Sequence, residues 1–252
     1  MSNSTTEIIS KVPEVTLLFW IVKIAATTFG EIGGDAVTMS MNLGYLVGTA
    51  IFAVVFIAAV LIQIFAKKFH PFIYWFTIIA TTTLGTTLAD FSDRSLGIGY
   101  AGGSSILLFL LLASLFTWYR TLGSVSVDTV RTPSSEIFYW VTIMFSQTLG
   151  TALGDWTANT ADLGYGGGIV LFGILLALIA AAYFRTKISR TILFWCAFVL
   201  TRPLGAVLGD FFDKPHADGG LALSRYTGSI VLILFIIAFI LIFPQRPARQ
   251  AH

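Results

Sequence analysis

Apolar runs of about 20 residues, the length a helix needs to cross ~30 Å of hydrocarbon, follow one another along this chain with short polar breaks between them. Every second run carries polar residues at intervals of four, the spacing that places side chains on one helix face. Counting back in fours from Asp35 meets Glu31, Thr27 and Lys23; from Asp90, Thr86, Thr82 and Ile78. From Asp155 the same count meets Thr151, Gln147 and Ile143, and from Asp210, Ala206, Arg202 and Phe198. The pattern predicts two kinds of helix in alternation: one wholly apolar, the other with a polar stripe that is ~18 Å long from Asp35 to Lys23 at ~1.5 Å per residue.

The stripes belong to a repeat. Trp20, Trp75, Trp140 and Trp195 are each followed ten residues later by Gly30, Gly85, Gly150 and Gly205, and five residues further by Asp35, Asp90, Asp155 and Asp210. Ten residues beyond the first three aspartates stand Tyr45, Tyr100 and Tyr165; in the fourth copy six extra residues precede Tyr226. The tryptophans lie 55, 65 and 55 residues apart, which divides the chain into a first half, residues 1–122, and a second half, residues 123–252, joined by the polar link "WYRTLGSVSVDTVRTPSSEIF". Each copy has room for two spanning helices, so the expected fold is an all-α membrane protein with eight transmembrane helices built from four parallel two-helix repeats. A seven-helix alternative, with one run lying in the interface, fits the even spacing less well. Parallel repeats share a pseudo-axis along the membrane normal, so equivalent aspartates should form a ring or two facing pairs.

Composition agrees. Of the 252 residues 56% are apolar and only 11% charged, against about a quarter charged in an ordinary soluble domain. The single cysteine, Cys196, excludes a disulfide framework and a cysteine zinc site. The N-terminus "MSNSTTEIISKVPEV" lacks a basic n-region and reads as a short tail before a retained helix. Basic residues are distributed ten against three: Lys11, Lys67, Lys68, Arg120, Arg131, Arg185, Lys187, Arg190, Arg246 and Arg249 in tails and between-copy loops, and Arg94, Lys214 and Arg225 in within-copy loops. By the positive-inside rule both termini are expected in the cytoplasm and the aspartate ends outside.

Lipid does not solvate such stripes. An Asp, Lys or Arg at mid-helix costs ~2.5–3.5 kcal/mol on insertion scales and turns to a bundle interior or a wet cavity, so the stripes should face one another, with glycines allowing close backbone approach. Five carboxylates (Glu31, Asp35, Asp90, Asp155, Asp210) then meet two cationic groups, Lys23 and Arg202, an excess of three negative charges. Carboxylates with Thr86, Thr151 and Gln147 as neutral donors are hard oxygen ligands, suited to Mg, Ca or Mn. Lys23 and Arg202 are expected to pair with the carboxylates when no ion is present and to withdraw when one arrives. Three simpler readings stand beside this: the tryptophans as interface anchors, Lys23 snorkelling to the surface, and the aspartates capping or ending their helices. Asp93, Asp162, Asp213 and Asp218 read as solvated loop residues.

The four copies of W-x9-G-x4-D resemble a family of bacterial repeat-containing polytopic inner-membrane proteins of the "predicted membrane-anchored protein" type, which implies a multi-pass protein of the bacterial inner membrane. Locally, "GEIGGD", Gly30 to Asp35, is similar to the E-x-G-D signature of duplicated cation exchangers, including manganese and calcium exporters, whose acidic residues supply the metal site. Glu31 and Asp35 are four apart here, not three, and the other copies lack the glutamate.

The expected function is transport of a divalent cation, manganese favoured, with proton exchange as one route, with the lipid bilayer and the metal ion as partners and no cofactor. A passive cation channel and a non-transporting structural or sensory protein are the alternatives. No Ser-His-Asp set, phosphate-cradling loop or basic stripe for nucleic acid is present, and four equivalent aspartates exceed the dyad of a membrane aspartyl protease; no enzymatic activity is expected.

Overall fold

In a computed structural model of the protein, residues 10–249 are described; residues 1–9, most of the N-terminal tail, and 250–252 lie outside. The described residues form eight long helices and no named strand: α1 (Leu17–Asp35), α2 (Gly44–Phe65), α3 (Pro71–Asp90), α4 (Tyr100–Leu122), α5 (Pro133–Asp155), α6 (Gly164–Arg185), α7 (Arg190–Asp213) and α8 (Arg225–Ile242). Local chemistry marks their ends. Thr16 caps α1 by accepting from the Phe19 N–H, Thr132 and Ser135 form a capping box at α5, and Pro71 and Pro133 occupy first turns, where a missing N–H costs nothing. Gly123 ends α4 in the left-handed conformation, φ +76°.

Two layers of helices result. The polar-striped helices α1, α3, α5 and α7 form an inner ring in which each packs against the next and α7 returns to α1. The apolar helices lie outside, and each packs on the following copy's inner helix rather than on its own: α2 on α3, α4 on α5, α6 on α7 and, closing the circle, α8 on α1. The contacts α3–α5 and α7–α1 join residues 1–122 to residues 123–252 as closely as neighbouring copies are joined within each half.

Seven of the eight are long and apolar enough to cross a membrane; the exception is α5. The reason is burial: Glu136, Thr142, Ser146, Gln147, Thr148, Thr151 and Asp155 lower its hydropathy, and all are buried against protein. The division of labour is plain in the most apolar window of each span, 72% buried in α3 and 11% in α2, α6 and α8. Outer helices instead expose Phe65, Phe109, Phe184 and Leu241, an apolar surface far larger than water-soluble monomers present and consistent with a multi-pass membrane protein.

The inner ring is tight because of its repeated glycines. A Cβ added at Gly30 would lie 2.8 Å from Thr82 Oγ1, at Gly85 2.9 Å from the Gln147 carbonyl carbon, at Gly150 2.5 Å from Arg202 Cβ, and at Gly205 2.9 Å from the Thr27 carbonyl carbon. Each of these glycines therefore receives, from the following copy, the residue eight positions before that copy's aspartate. A second layer repeats the scheme one turn on: Gly34 faces Thr86, Gly154 faces Ala206 and Gly209 faces Glu31, at 3.2, 3.0 and 2.6 Å from the respective Cβ atoms.

At the amino ends of the inner helices the core is aromatic. Trp75, Trp140 and Trp195 are buried here with Phe19, Phe194 and Trp118, in edge-on and tilted contacts such as Trp118–Trp195 at 5.9 Å. Tyr74 and Tyr139 share a hydrogen bond of 2.6 Å between hydroxyls. The tryptophans expected as interface anchors thus include three that pack inward; their indoles find polar partners on Gln245 (Trp75) and the Val125 carbonyl (Trp195) instead of at a lipid headgroup. Tail segments close this end: Pro13 bridges Pro247, Ser10 donates to the Val127 carbonyl, and Lys11 pairs with the buried Glu136 at 2.7 Å.

Because the Thr27 backbone at Gly205 has no room to yield, Gly205→Val should destabilise the protein by more than the ~1–3 kcal/mol typical of overpacking. Gly173→Ala, where nothing lies within 4 Å of the new Cβ, should be neutral or stabilise by about 0.5–1 kcal/mol. Thermal unfolding of the two variants in detergent, followed by tryptophan fluorescence, checks both; equal melting temperatures would contradict the close-packed ring.

Candidate functional site

Asp35, Asp90 and Asp155 are the last α-helical residues of α1, α3 and α5, yet none of them makes a side-chain capping hydrogen bond and the chain does not leave the helix there; Asp210 lies inside α7. After Asp35, Asp90 and Asp155 the chain continues through one π-helical turn, Ala36–Ser40, Phe91–Ser95 and Trp156–Thr160. These turns are closed by i→i+5 bonds such as Met41 N–H to the Ala36 carbonyl at 2.9 Å. Such turns are uncommon and recur at functional sites. In the fourth copy α7 stays α-helical to Asp213, and the inserted residues fold back, with Leu221 and Leu223 N–H groups bonding the Phe211 and Phe212 carbonyls.

All four aspartate side chains are buried, and they meet as two cation-bridged pairs. Lys214 pairs with Asp35 and, at 3.1 Å, with Asp210. Arg94 pairs with Asp90 at 2.9 Å and reaches Asp155 at 4.0 Å. Arg225 adds a contact to Asp35 at 3.6 Å and holds Asp213. The three basic residues assigned above to loops thus fold into the carboxylate cluster and, with Asp213 joining it, reduce the excess of three negative charges to one. Asp213, expected as a solvated loop residue, is buried beside them. Burial works against a charge on Lys214, but the carboxylates of Asp210, Asp35 and Asp213 outweigh it and hold the ammonium above its ordinary range.

Asp35, Asp210 and Asp213 each offer an oxygen, and the three oxygens lie within 4.8 Å of one another. Asp35 Oδ1 and Asp213 Oδ1 have no hydrogen-bond partner among the described residues; Asp210 Oδ1 has only the ammonium, as an ion pair without hydrogen-bond geometry. Two side-chain cations answer the three carboxylates: Lys214 between Asp35 and Asp210, and Arg225 between Asp35 and Asp213. Above the cluster opens a vestibule of ≈ 580 Å³ lined by Met39, Arg94, Asn159 and Lys214, each four residues past its copy's aspartate, with Tyr100 and Tyr165 of the repeat. The intervals of four, continued forward from each aspartate, would have found these four residues in the sequence.

One turn deeper, Glu31 pairs with Arg202, Nη2 to Oε2 at 3.0 Å, both side chains buried. The same Nη2 donates to Thr86 and Thr151 hydroxyls at 2.5 and 2.6 Å. Arg202 of α7 thus ties together α1, α3 and α5. Gln147 is fully buried, and neither of its amide atoms has a partner among the described residues. Deeper still, Lys23 does not snorkel: it is fully buried, donates to Thr201 Oγ1 at 2.7 Å and to the Phe198 carbonyl at 3.1 Å, and lies 3.8 Å from the Phe198 ring centroid. Lys23 and Arg202 therefore sit below the aspartate cluster, and the residues occupying it are Lys214, Arg94 and Arg225. Of the expected ligand set, Asp35 and Asp210 are brought together by Lys214, Asp90 and Asp155 by Arg94, and Glu31, Thr86 and Thr151 by Arg202.

Breaking a buried pair strands its partner's charge, at about 3–5 kcal/mol. Arg202→Met and Glu31→Gln should each destabilise the protein to that extent, and the double variant should recover at least half the loss in a denaturation cycle. Additive losses would mean the two groups do not act as a pair.

Comparison with curated proteins finds no match, and comparison with solved structures finds none either. A family model does match, four times over, at residues 18–69, 73–124, 138–189 and 193–246. These segments are the four copies described above, each containing one inner helix and the outer helix that follows it. The chain belongs to the family described as Repeat of Unknown Function (DUF347).

Proposed function

We propose that the protein is a membrane carrier for a divalent cation whose cargo displaces the tethered ammonium of Lys214 from the Asp35–Asp210–Asp213 cluster. The observation that carries this reading is the cluster itself: three buried carboxylates with oxygens within 4.8 Å of one another, bridged by Lys214 and Arg225, the two cations that separate it from the vestibule they line. Carboxylates alone make a hard site, suited to Mg, Ca or Mn, with manganese the favoured cargo. In this reading all eight helices cross the bilayer as four parallel two-helix repeats, α5 included because its polar face is shielded by α3, α4 and α7. Both termini lie in the cytoplasm of a bacterial inner-membrane protein and the vestibule faces outward.

The sequence of events follows from charge. Lys214 remains protonated, so its displacement by the cargo releases no proton of its own; cargo entry is linked to proton release only through a cluster carboxylate that has accepted a proton, freed Lys214, and gives that proton up to bind the ion. Asp90 and Asp155, clamped by Arg94, form a second pair behind that arginine, which lines the same vestibule. Below, the Glu31–Arg202 pair and the aromatic end fill the axis, which favours a carrier that opens alternately over an ohmic channel. A static polar core is the rival reading, favoured by the fact that each of the four ring aspartates already has a cation of its own chain; buried ion pairs can serve register alone.

Proteoliposomes loaded with a manganese-sensitive dye separate these readings. The expected result is saturable Mn²⁺ entry that falls at least tenfold in Asp210→Asn, with retained folding. In equilibrium binding, Lys214→Ala should tighten the apparent Mn²⁺ affinity at least tenfold. Vesicles no faster than empty ones, or an Asp210→Asn protein altered only in thermal stability, would support the static core and end the transport proposal.

A further inference from the structure

We propose that the middle of the inner ring holds a small monovalent anion, of the halide class, between Arg202, Gln147 and Thr82. The proposal concerns the layer eight residues before the aspartates: Thr27 of α1, Thr82 of α3, Gln147 of α5 and Arg202 of α7, all fully buried. Thr27 satisfies itself on the Lys23 and Ile24 carbonyls. The others do not. Among the described residues, Arg202 Nε and Nη1, Gln147 Nε2 and Oε1 and Thr82 Oγ1 are buried without a hydrogen-bond partner.

Five orphaned atoms in one layer exceed what a native interior leaves unmatched, and a buried polar group with no partner destabilises the fold. Their placement is common. Thr82 and Gln147 lie one helical turn below Thr86 and Thr151, the hydroxyls that hold Arg202 Nη2, at the level of the ring from which Arg202 itself springs. Gln147 packs on Gly85 through its backbone and Cβ, Arg202 on Gly150 through Cβ and Cγ, and Thr82 on Gly30, so the glycines seat all three in one layer of the ring.

Charge decides what belongs there. Around this layer stand two cationic side chains, Lys23 and Arg202, and one carboxylate, Glu31, which is engaged by Nη2. Lys23 has only neutral partners, Thr201 and the Phe198 carbonyl and ring. A metal cation would meet a guanidinium at close range; an anion meets two of its N–H donors, a carboxamide donor and a hydroxyl, and it balances the surplus charge. The site is distinct from the carboxylate cluster, since Asp35, Asp210 and Asp213 do not enter it, and loss of one leaves the other testable.

The test uses the full chain purified in detergent with gluconate as the only monovalent anion. Thermal unfolding is followed while bromide replaces gluconate at constant ionic strength. The expected result is a saturable rise in melting temperature, with the apparent bromide affinity weakened at least tenfold in Gln147→Leu and in Thr82→Val. Superimposable curves in the two anions, or a bromide dependence that both variants retain unchanged, would assign the layer to water and overturn the proposal. Should Gln147→Leu fail to fold, bromide-soaked crystals of the wild-type chain decide: an anomalous peak within about 3.5 Å of Arg202 Nε or Nη1 supports the site, and its absence overturns it.

Discussion

Everything in this molecule depends on how closely four inner helices approach one another. The approach is set by glycine: one at each interface receives a side chain from the next copy, and a Cβ there would meet atoms at 2.9 Å or less. Helices held at this distance exclude lipid and bring their polar stripes onto one axis, where buried carboxylates, hydroxyls and cations find partners they would otherwise lack. In a bilayer, with no hydrophobic drive between helices, such small-residue contacts and the hydrogen bonds they permit supply the association energy. The same closeness raises the stakes for each buried charge, because little water is left to compensate a missing partner.

Charge is arranged in levels along that axis. The vestibule end has two carboxylate pairs bridged by Lys214 and Arg94; the next level has Glu31 with Arg202; below it stands Lys23, with neutral partners only. The repeat supplies the aspartates four times, whereas Glu31, Arg202, Lys23 and Lys214 each occur in one copy. Fourfold scaffolding with single-copy chemistry gives one directional site in place of four equivalent ones. The fourth copy, which lacks the π-helical turn and carries the insertion, supplies both Lys214 and Arg225.

Much of the inner ring was legible before any coordinates. Intervals of four name the buried axial residues because a helix face repeats at that spacing whatever surrounds it, and the glycine at a fixed distance from each aspartate marks the interface. The cations of the outer cluster were harder to read. Arg94, Lys214 and Arg225 lie past the aspartates, where a count of loop charges treats them as solvated, yet a long side chain one turn beyond a buried carboxylate reaches back to it. The tryptophans misled for a related reason: an indole at a helix start fits an interfacial belt and an aromatic core equally well, and only the packing of the neighbouring copy selects the core. Hydropathy sets α5 apart from the other seven because its polar residues are buried against protein.

The closure of α8 onto α1 has a consequence for how such a body can be encoded. Because every outer helix clasps the inner helix of its successor, and the last clasps the first, the packing contains no privileged beginning. A polypeptide opened at a different inter-copy loop would trace the same circle, and two half-length chains could complete it by exchanging their final helices.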